Sequence, residues 1–493
     1  MGKVFIIGTG PGDEELLTLK AVKALSKCTA VLYDRLVSNN ILNYINEDCE
    51  VYYCGKEPGA HYQTQEEINR NLINLAKKGH IVGRIKGGDP YVFGRGGEEV
   101  LALKKENIDF EVIPGVTSPI SVLNYAGIPI TQRGMAQSFH IVTGMSASES
   151  KVNFEALSKE EGTLVFMMGL SNLGKIVEKL IVNGKDKTTP AAVVMRGTSS
   201  KQKKVIGTLE NIEKKVNEAK LKSPCIIVVG EVVTLNEDLA WYENKPLFGT
   251  NICVTRSRNQ SSNLKEKLRD MGAEVTEINS IKIKDTSSNL NKILDKLEEY
   301  DHILLTSVNG VNIFFDYLIK QKYDIRGIKA KFSVIGKATK KALEQRGIQS
   351  FIMAREFVGE GLLKAIKPYI KEGEKILIPC SSKSRKLLNE ELDKLGCNVD
   401  RVHIYDTVLG KVNNEKSYDE VDITLFTSPT TVENMIEMVG IDNIIKKKNI
   451  AIGPQTNKAL LKHNIEAFVC KEHSEDGFLR EIVNIVKEGN IND

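Results

Sequence analysis

The chain has 493 residues, which is more than a single hydrophobic core normally organises, so we expect two to four domains. Hydrophobic residues make up 41% and charged residues 27%, a composition that excludes a disordered or fibrous protein. The net charge of +4 and the aromatic content of 6% give no indication of a nucleic-acid partner.

Features typical of membrane, secreted and zinc proteins are missing from the sequence. No apolar stretch approaches the roughly 20 residues that cross a bilayer. The apolar run 4–7 ends at Gly8 and leads into acidic residues, unlike a signal peptide. The eight cysteines lack the paired spacing of zinc ligands, and we interpret them as reduced, mostly buried thiols. We therefore expect a cytoplasmic protein with no metal site and no membrane partner.

Short β-branched runs alternate with helical patterns in the first half of the chain, which is typical of α/β layers. The runs are residues 4–7, 30–33, 80–85, 163–168, 191–195 and 225–229. Residues 241–249 mix Pro, Gly and polar side chains between two well-patterned regions, so we predict a linker there. We expect its Trp241 to anchor the linker by packing.

Three loops rich in glycine or proline follow predicted strands: residues 8–13, 84–99 and 112–118. Glycine lets backbone amides approach a ligand closely, and Arg84 and Arg95 are candidates for binding substrate carboxylates. The first loop lacks the Gly-Lys-Ser/Thr of a phosphate loop, and Pro11 removes one amide donor, which disfavours a nucleoside triphosphate or NAD site. A tight turn at 8–13 and a solvated basic loop at 84–99 remain the alternatives.

These loops, with Tyr33-Asp34-Arg35, Gly55-Lys56, Met168-Gly169 and Arg196-Gly197-Thr198, resemble the uroporphyrinogen-III C-methyltransferases among the tetrapyrrole methylases. The resemblance covers nearly all of residues 1–240. It implies a two-lobed α/β fold, usually dimeric. It also implies an S-adenosyl-L-methionine-dependent enzyme that methylates uroporphyrinogen III at C2 and C7 to give precorrin-2.

The resemblance also implies roles for individual residues. Asp34 matches a proton acceptor and Lys56 a proton donor, while a surface ion pair or a turn is the alternative for Asp34. Gln132 and Met145 stand where relatives usually carry histidine, which bears on substrate contacts and rate. The positions implied to contact the cofactor are Pro11, Gly87, Gly88, Asp89, Val92, Thr117, Ser118, Met168 and Gly197.

The second half of the chain contains an internal repeat. The pattern of residues 302–311, an apolar run followed by Thr-Ser, recurs at 422–432, and residues 334–343 recur at 451–460. Two copies of a strand, a hydroxyl-bearing turn and a helix predict two similar α/β lobes with a cleft between them. Hydroxyls and free amides at helix N-termini bind carboxylates, although ordinary N-capping explains one such turn equally well.

Residues 249–484 resemble uroporphyrinogen-III synthase, through short motifs at 254–256, 306–310, 336–339, 376–379, 405–407, 426–429 and 453–456. The resemblance implies cofactor-free closure of hydroxymethylbilane to uroporphyrinogen III with inversion of ring D. It implies that Tyr405 assists departure of the hydroxyl, with a plain core tyrosine as the alternative. Arg256 is a candidate for steering carboxylates, with a surface role equally open. The positions implied to contact substrate are Ser307, Thr339, Ser428 and Thr456.

We therefore predict a bifunctional enzyme of tetrapyrrole biosynthesis, leading toward cobalamin or sirohaem, that forms a homodimer through the methyltransferase half. One alternative is a catalytically silent tetrapyrrole-binding or regulatory second half. Another is a first half that acts on a later corrin intermediate or another acceptor. The predicted domains are a methyltransferase at 1–240 (lobes 1–133 and 134–240), a linker at 241–248, and a synthase at 249–493 (lobes 249–282 plus 408–493, and 283–407).

Overall fold

The apolar runs of the sequence form the strands of the computed structural model, which describes residues 2–55, 64–145, 152–255, 262–354, 359–410 and 415–489. Within these residues the strands form four sheets, and helices pack against them, so the predicted α/β class is confirmed. None of the described helices is long and apolar enough to cross a membrane. The chain divides into two compact units, Met1–Ile278 with Val412–Asp493, and Asn279–Lys411.

The first sheet is parallel throughout, and cores lie on both of its faces. Its strands are β1 (Lys3–Gly8), β2 (Ala30–Tyr33), β3 (Glu50–Tyr53), β4 (Ile81–Lys86) and β5 (Asp109–Ile113), in the order β3-β2-β4-β1-β5. Successive residues of β1 enter the two cores alternately, Phe5 and Ile7 on one face and Val4 and Ile6 on the other. The accompanying helices are α1 (Leu19–Leu25), α2 (Gln65–Lys77), α3 (Gly96–Lys105) and α4 (Ser118–Tyr125).

The second sheet is mixed, with one parallel pair and three antiparallel pairs among its described strands. These are β6 (Phe139–Thr143), β7 (Thr163–Met167), β8 (Pro190–Met195), β9 (Lys203–Thr208) and β10 (Cys225–Val229), in the order β6-β7-β10-β8-β9. The central strand β10 is buried along its whole length, as its unbroken apolar sequence requires. The helices of this lobe are α5 (Phe154–Lys159), α6 (Leu173–Val182) and α7 (Ile212–Glu218).

The third sheet, also in the first unit, combines strands from both sides of the second unit in sequence. Its strands are β11 (Asn251–Val254), β12 (Glu274–Glu277), β19 (Ile423–Phe426), β20 (Lys448–Ala451) and β21 (Phe468–Val469). They are parallel and follow the order β12-β11-β19-β20-β21. The helices are α8 (Ser262–Asp270), α13 (Pro429–Val439), α14 (Ile441–Ile445), α15 (Pro454–Leu461) and α16 (Glu475–Lys487).

The second unit contains a sheet with one antiparallel edge strand. Its strands are β13 (Ile281–Asp285), β14 (His302–Leu305), β15 (Lys331–Val334), β16 (Ile352–Met353), β17 (Lys375–Ser381) and β18 (Asn398–Leu409). Their order is β13-β18-β17-β14-β15-β16, and only the β13–β18 pair is antiparallel among the described strands. The helices are α9 (Val308–Lys320), α10 (Lys337–Glu344), α11 (Gly359–Ile366) and α12 (Leu387–Lys394).

The linker is fixed by aromatic packing, which confirms the anchoring role predicted for Trp241. The indole N–H of Trp241 donates to the carbonyl oxygen of Asn124 at 3.1 Å, and its ring lies 4.8 Å from that of Tyr125. The ring of Tyr242 lies 4.7 Å from Tyr125 on one side and 5.2 Å from Phe248 on the other. These contacts join the end of α4 to the start of the third sheet.

All eight cysteines are buried and unpaired, as the sequence predicts. Burial raises the pKa of Cys28 to about 12, and it raises the pKa values of Cys49, Cys225 and Cys470 to about 11. Because these four thiols stay protonated at neutral pH, they are packing groups rather than nucleophiles.

Replacing Phe314 by alanine tests the core of the second unit. Its ring is fully buried and packs edge-to-face on Phe315 at 5.2 Å, so Phe314→Ala is expected to cost about 3–5 kcal/mol in the free energy of unfolding. Chemical denaturation followed by circular dichroism measures the loss. The control is Ile319→Ala on the exposed face of the same helix, with an expected change within about 0.5 kcal/mol. Equal effects of the two substitutions would contradict the described core.

Candidate active sites

Loops at the carboxyl ends of β1, β4 and β5 line a cavity of about 1770 Å³, together with loops of the second sheet. This is the edge where open parallel sheets bind ligands. All nine positions predicted to contact the cofactor line this one cavity: Pro11, Gly87, Gly88, Asp89, Val92, Thr117, Ser118, Met168 and Gly197. Asp34, Arg84 and Arg95 line it as well.

Three loops of the first sheet are joined by hydrogen bonds, two of them between backbone atoms and one to an aspartate side chain. The amide of Gly10 donates to the carbonyl oxygen of Gly88 at 3.2 Å, and the amide of Gly88 donates back to Gly10 at 2.6 Å. The carboxylate of Asp89 accepts from the amide of Gly115 at 3.1 Å. A Cβ atom on Gly115 would lie 2.2 Å from the carbonyl oxygen of Gly88, so only glycine permits this approach.

Asp34 is held at the cavity by a buried arginine. Arg84 Nη2 donates to Asp34 Oδ2 at 3.1 Å, and the backbone amide of Leu36 donates to Asp34 Oδ1 at 3.1 Å. Two further N–H groups of Arg84 bond within the protein, since Nε donates to Glu99 at 3.0 Å and Nη1 donates to the carbonyl oxygen of Ile85 at 2.8 Å. The side chain of Asp34 keeps 27% of its surface exposed, whereas that of Arg84 keeps 4%. Arg84 therefore orients Asp34 through one of its five N–H donors.

The network continues to a second cation through Glu99, which is fully buried. Lys86 Nζ donates to the same Oε1 of Glu99 at 3.0 Å. Burial and the neighbouring Arg84 lower the pKa of Lys86, while Glu99 opposes that shift. Burial alone would lower the pKa of Arg84, but the surrounding Glu99, Cys54 and Asp34 raise it above its ordinary value.

Sequence reasoning did not give Glu99 or Lys86 a role. The signal was present in the pattern Arg84-Ile85-Lys86, because alternate residues of a strand share one face and two buried cations require a buried carboxylate.

Arg95 differs from the buried cations Arg84 and Lys86. It is half-exposed, adopts a left-handed backbone with φ of 57°, and pairs with Glu98 at 2.7 and 2.8 Å.

The second lobe contributes a loop with an unusual backbone after β8. Arg196 and Thr198 have φ values of 46° and 69°, which place two non-glycine residues in the left-handed region. A Cβ on Gly197 between them would lie 2.4 Å from the side chain of Val122. The amide of Asp13 donates to Thr198 Oγ1 at 3.4 Å, which connects this loop with the first glycine loop.

Several predicted residues cannot be placed in this site. Lys56 and Arg256 lie outside the described residues. Gln132 and Met145 are described and exposed, and neither is among the residues that line the cavity within the described chain.

In the second unit, the structure brings Ser307 and Tyr405 together. Ser307 is the N-cap of α9, where its Oγ accepts from the amide of Gly310 at 2.9 Å. The same hydroxyl is hydrogen bonded to the hydroxyl of Tyr405 on β18 at 2.9 Å. Burial raises the pKa of Tyr405, and the bond to Ser307 opposes that shift. The pair therefore forms a neutral hydroxyl dyad at the start of a helix.

The repeat in the sequence corresponds to a repeat in local structure. Ser428 is the N-cap of α13, with its Oγ 3.3 Å from the amide of Thr431, just as Ser307 caps α9. Thr339 and Thr456 are both buried in the first turn of α10 and α15. Capping thus accounts for one function of each serine, and the substrate contacts of all four hydroxyls stay predictions.

Both halves of the chain match known protein families. Residues 3–213 match the family of tetrapyrrole (corrin/porphyrin) methylases, and residues 262–480 match the family of uroporphyrinogen-III synthase HemD. The porphyrin biosynthesis protein HemD of Ruminiclostridium josui is 38% identical over 100% of this chain and 99% of its own length. The uroporphyrinogen-III C-methyltransferase of Methanocaldococcus jannaschii is 49% identical over 48% of this chain and 98% of its own length.

Among solved structures, a uroporphyrin-III C-methyl transferase from Thermus thermophilus complexed with S-adenyl homocysteine is 39% identical. The match covers 47% of this chain and 99% of that one, with a TM-score of 0.41. The full-length relative shows the family of the whole chain. The chain belongs to the family of porphyrin biosynthesis proteins that combine a tetrapyrrole methylase domain with a uroporphyrinogen-III synthase domain.

Gly115→Ala tests the packing of the glycine loops at the cavity. Because the added Cβ would clash with the carbonyl oxygen of Gly88, the loops must separate, and methyl transfer from S-adenosyl-L-methionine is expected to slow by about 10²-fold. The rate is measured with a labelled methyl group. The control is Gly97→Ala in the first turn of α3, where a Cβ meets no atom within 4 Å. A Gly115 variant as fast as the control would show that the close approach is not required.

Proposed function

We propose that this chain catalyses two consecutive steps of tetrapyrrole biosynthesis. The second half closes hydroxymethylbilane to uroporphyrinogen III with inversion of ring D, and the first half methylates that product at C2 and C7 to give precorrin-2. The observation that carries the proposal is the convergence of all nine predicted cofactor positions on one cavity beside Asp34. The family match over the full length supports the presence of both activities in one chain.

The cavity suits S-adenosyl-L-methionine because its glycine loops let a ligand approach the backbone and because hydroxyl groups also line it. A Cβ on Gly88 would meet nothing closer than 3.9 Å, so the glycine leaves open space for a ligand against the chain. Thr117 and Ser118 add hydroxyls at the start of α4. When bound, the cofactor supplies an electrophilic methyl group. We propose that the nine cavity positions hold it, and that Arg84 and Arg95 meet substrate carboxylates.

Asp34 is the residue we propose to act on the substrate. A pyrrole carbon that gains a methyl group leaves a positive charge on its ring, and a carboxylate nearby stabilises that charge and accepts a proton. The bond from Arg84 fixes the direction of Asp34, while its exposed fraction leaves it accessible to the ring. We retain Lys56 as the proposed proton donor.

In the synthase half we propose that Tyr405 assists departure of the substrate hydroxyl. Its bond to Ser307 supports this role because the bond orients the phenol, while burial raises the pKa of Tyr405 and favours its protonated form. Ser307, Thr339, Ser428 and Thr456 are the proposed substrate contacts. The reaction mainly requires that a reactive, flexible molecule be held in a curled shape, so positioning is the chief task of these groups.

We also propose a division at residues 1–240, 241–248 and 249–493, a cytoplasmic location, and a homodimer through the methyltransferase half. The dimer rests on the resemblance to the methyltransferases. Light scattering on the purified chain tests it, and a mass of 54.8 kDa at all concentrations would reject it.

The bifunctional assignment is tested by giving the full chain hydroxymethylbilane with labelled S-adenosyl-L-methionine. We expect a doubly methylated product derived from the III isomer. Formation of the I isomer alone would reject the synthase activity. Uroporphyrinogen III that stays unlabelled would reject the methyltransferase activity.

Asp34→Asn tests the proposed acceptor. The amide keeps the shape of the side chain and an oxygen for the Leu36 turn, so affinity for S-adenosylhomocysteine is expected to stay unchanged by calorimetry. The rate of methyl transfer is expected to fall by about 10²- to 10⁴-fold, because the acceptor charge is lost. Asp109→Asn, which changes a solvent-exposed carboxylate of the same lobe, serves as the control. Loss of cofactor affinity would instead make Asp34 a cofactor-binding residue.

Tyr405→Phe removes the hydroxyl and leaves the ring in the core, so ring closure to the III isomer is expected to slow by about 10²-fold. The matched control is Tyr317→Phe, a buried tyrosine of the same core whose hydroxyl bonds Asn291. Product isomers are separated by chromatography. If both variants slow equally, Tyr405 is a core residue and not a catalytic one.

A further inference from the structure

Part of the synthase half forms a wall of the methyltransferase cavity. We call the third sheet with its helices, namely β11, β12, α8 and residues 415–489, the docking lobe; it belongs to the same compact unit as the methyltransferase. The cavity is lined by residues from both, and the docking lobe contributes Arg269, Glu274, Val275, Thr276, Asp419 and Glu420. The methyltransferase site is therefore continuous with the second enzyme of the chain.

The loop that contains Gly197 is held by three polar contacts from that side. Arg196 makes a two-pronged ion pair with Glu420, with nitrogen to oxygen distances of 2.7 and 2.6 Å. The amide and hydroxyl of Ser200 both donate to Glu274, at 2.9 and 2.7 Å. Lys201 Nζ lies 3.3 Å from Asp422. One short loop thus carries a cofactor position and most of the charged contacts to the docking lobe.

The first glycine loop is held as well, by a chain of buried charges. Glu14, directly after that loop, pairs with Arg269 on α8. Arg269 also lies 3.8 Å from Glu277, which in turn pairs with Lys265 at 2.6 Å. All four side chains are less than a fifth exposed. Buried ion pairs add little net stability, but they fix the register of the surfaces that they join.

The loop after β8 needs such support because its backbone is strained. Non-glycine residues with positive φ, here Arg196 and Thr198, persist only where surrounding contacts over-determine them. Within the loop, the Thr198 amide bonds the side chain of Gln202 at 2.9 Å. The Glu420 carboxylate supplies an external restraint on the neighbouring Arg196, immediately before Gly197.

We propose that the docking lobe is a positioning element of the methyltransferase, in which Glu420 acts through Arg196 to hold the Gly197 loop in its cofactor-binding shape. The inference rests on the proposed function of the first half. Glu420 is a positioning residue and not a catalytic one, since it touches Arg196 and no reacting atom is involved. Methyltransferase affinity for its cofactor thereby depends on the folded state of the docking lobe.

The test is Glu420→Gln in the full chain, with S-adenosylhomocysteine binding measured by calorimetry. Loss of a two-pronged, partly exposed ion pair is expected to weaken binding by about threefold to fivefold. The turnover number at saturating S-adenosyl-L-methionine is expected to stay within about twofold, so that the change appears in KM. The matched control is Glu433→Gln, which removes a carboxylate of the docking lobe that pairs with His463.

A charge exchange separates positioning from general destabilisation. Arg196→Glu alone weakens binding, and the double variant Arg196→Glu with Glu420→Arg is expected to restore it at least in part. The proposal is overturned if Glu420→Gln binds as tightly as the wild type, or if binding, turnover and ring closure all fall together without rescue. If wild-type protein itself fails to bind S-adenosylhomocysteine, the proposed methyltransferase function fails instead.

Discussion

The close approach of three loops at the carboxyl edge of the first sheet is the constraint on which the methyltransferase site depends. Residues Gly8, Gly88 and Gly115 bring backbone atoms of β1, β4 and β5 so near each other that a side chain at Gly8 or Gly115 would collide with the neighbouring chain. The backbone hydrogen bonds between Gly10 and Gly88 then lock the arrangement. Because glycines stand at these contacts, the backbones of the loops can come this close beside the cavity.

A second constraint is that the buried cations beneath these loops must be compensated by carboxylates. Arg84 and Lys86 share one face of β4 and lie in the protein interior, where unpaired charge is strongly unfavourable. Glu99 compensates both of them, and Asp34 compensates Arg84 from the cavity side. The carboxylate proposed to act on the substrate is thus also one end of a network that the fold needs to bury its cations. The same carboxylate of Asp34 thus has a structural role in the network and a proposed role in the reaction.

The sequence predicted much of this architecture, because strand runs and turn residues are local signals. The α/β class, the anchoring of Trp241 and the repeated capping serines could all be read from neighbouring residues. Pairings between segments that lie far apart in the sequence could not be predicted from neighbouring residues. The sequence made Arg84 a candidate for binding substrate carboxylates, and its bonds to Asp34 and Glu99 became visible only in the structure. Likewise, the residues that neighbour Glu420 in the sequence do not indicate that it pairs with Arg196.

The order of strands in the third sheet has a consequence for how the protein forms during synthesis. Strand β11 pairs with β19, which emerges from the ribosome only after the whole second unit has been made. Until then β11 presents an unpaired edge, which is a hazard for aggregation. The two sheets of the methyltransferase are complete much earlier, yet Glu420 and Asp422 reach Arg196 and Lys201 only near the end of translation. A chain truncated before residue 420 would therefore lose the ion pairs of Arg196 and Lys201, keep the Ser200–Glu274 contact, and leave β11 with an open edge.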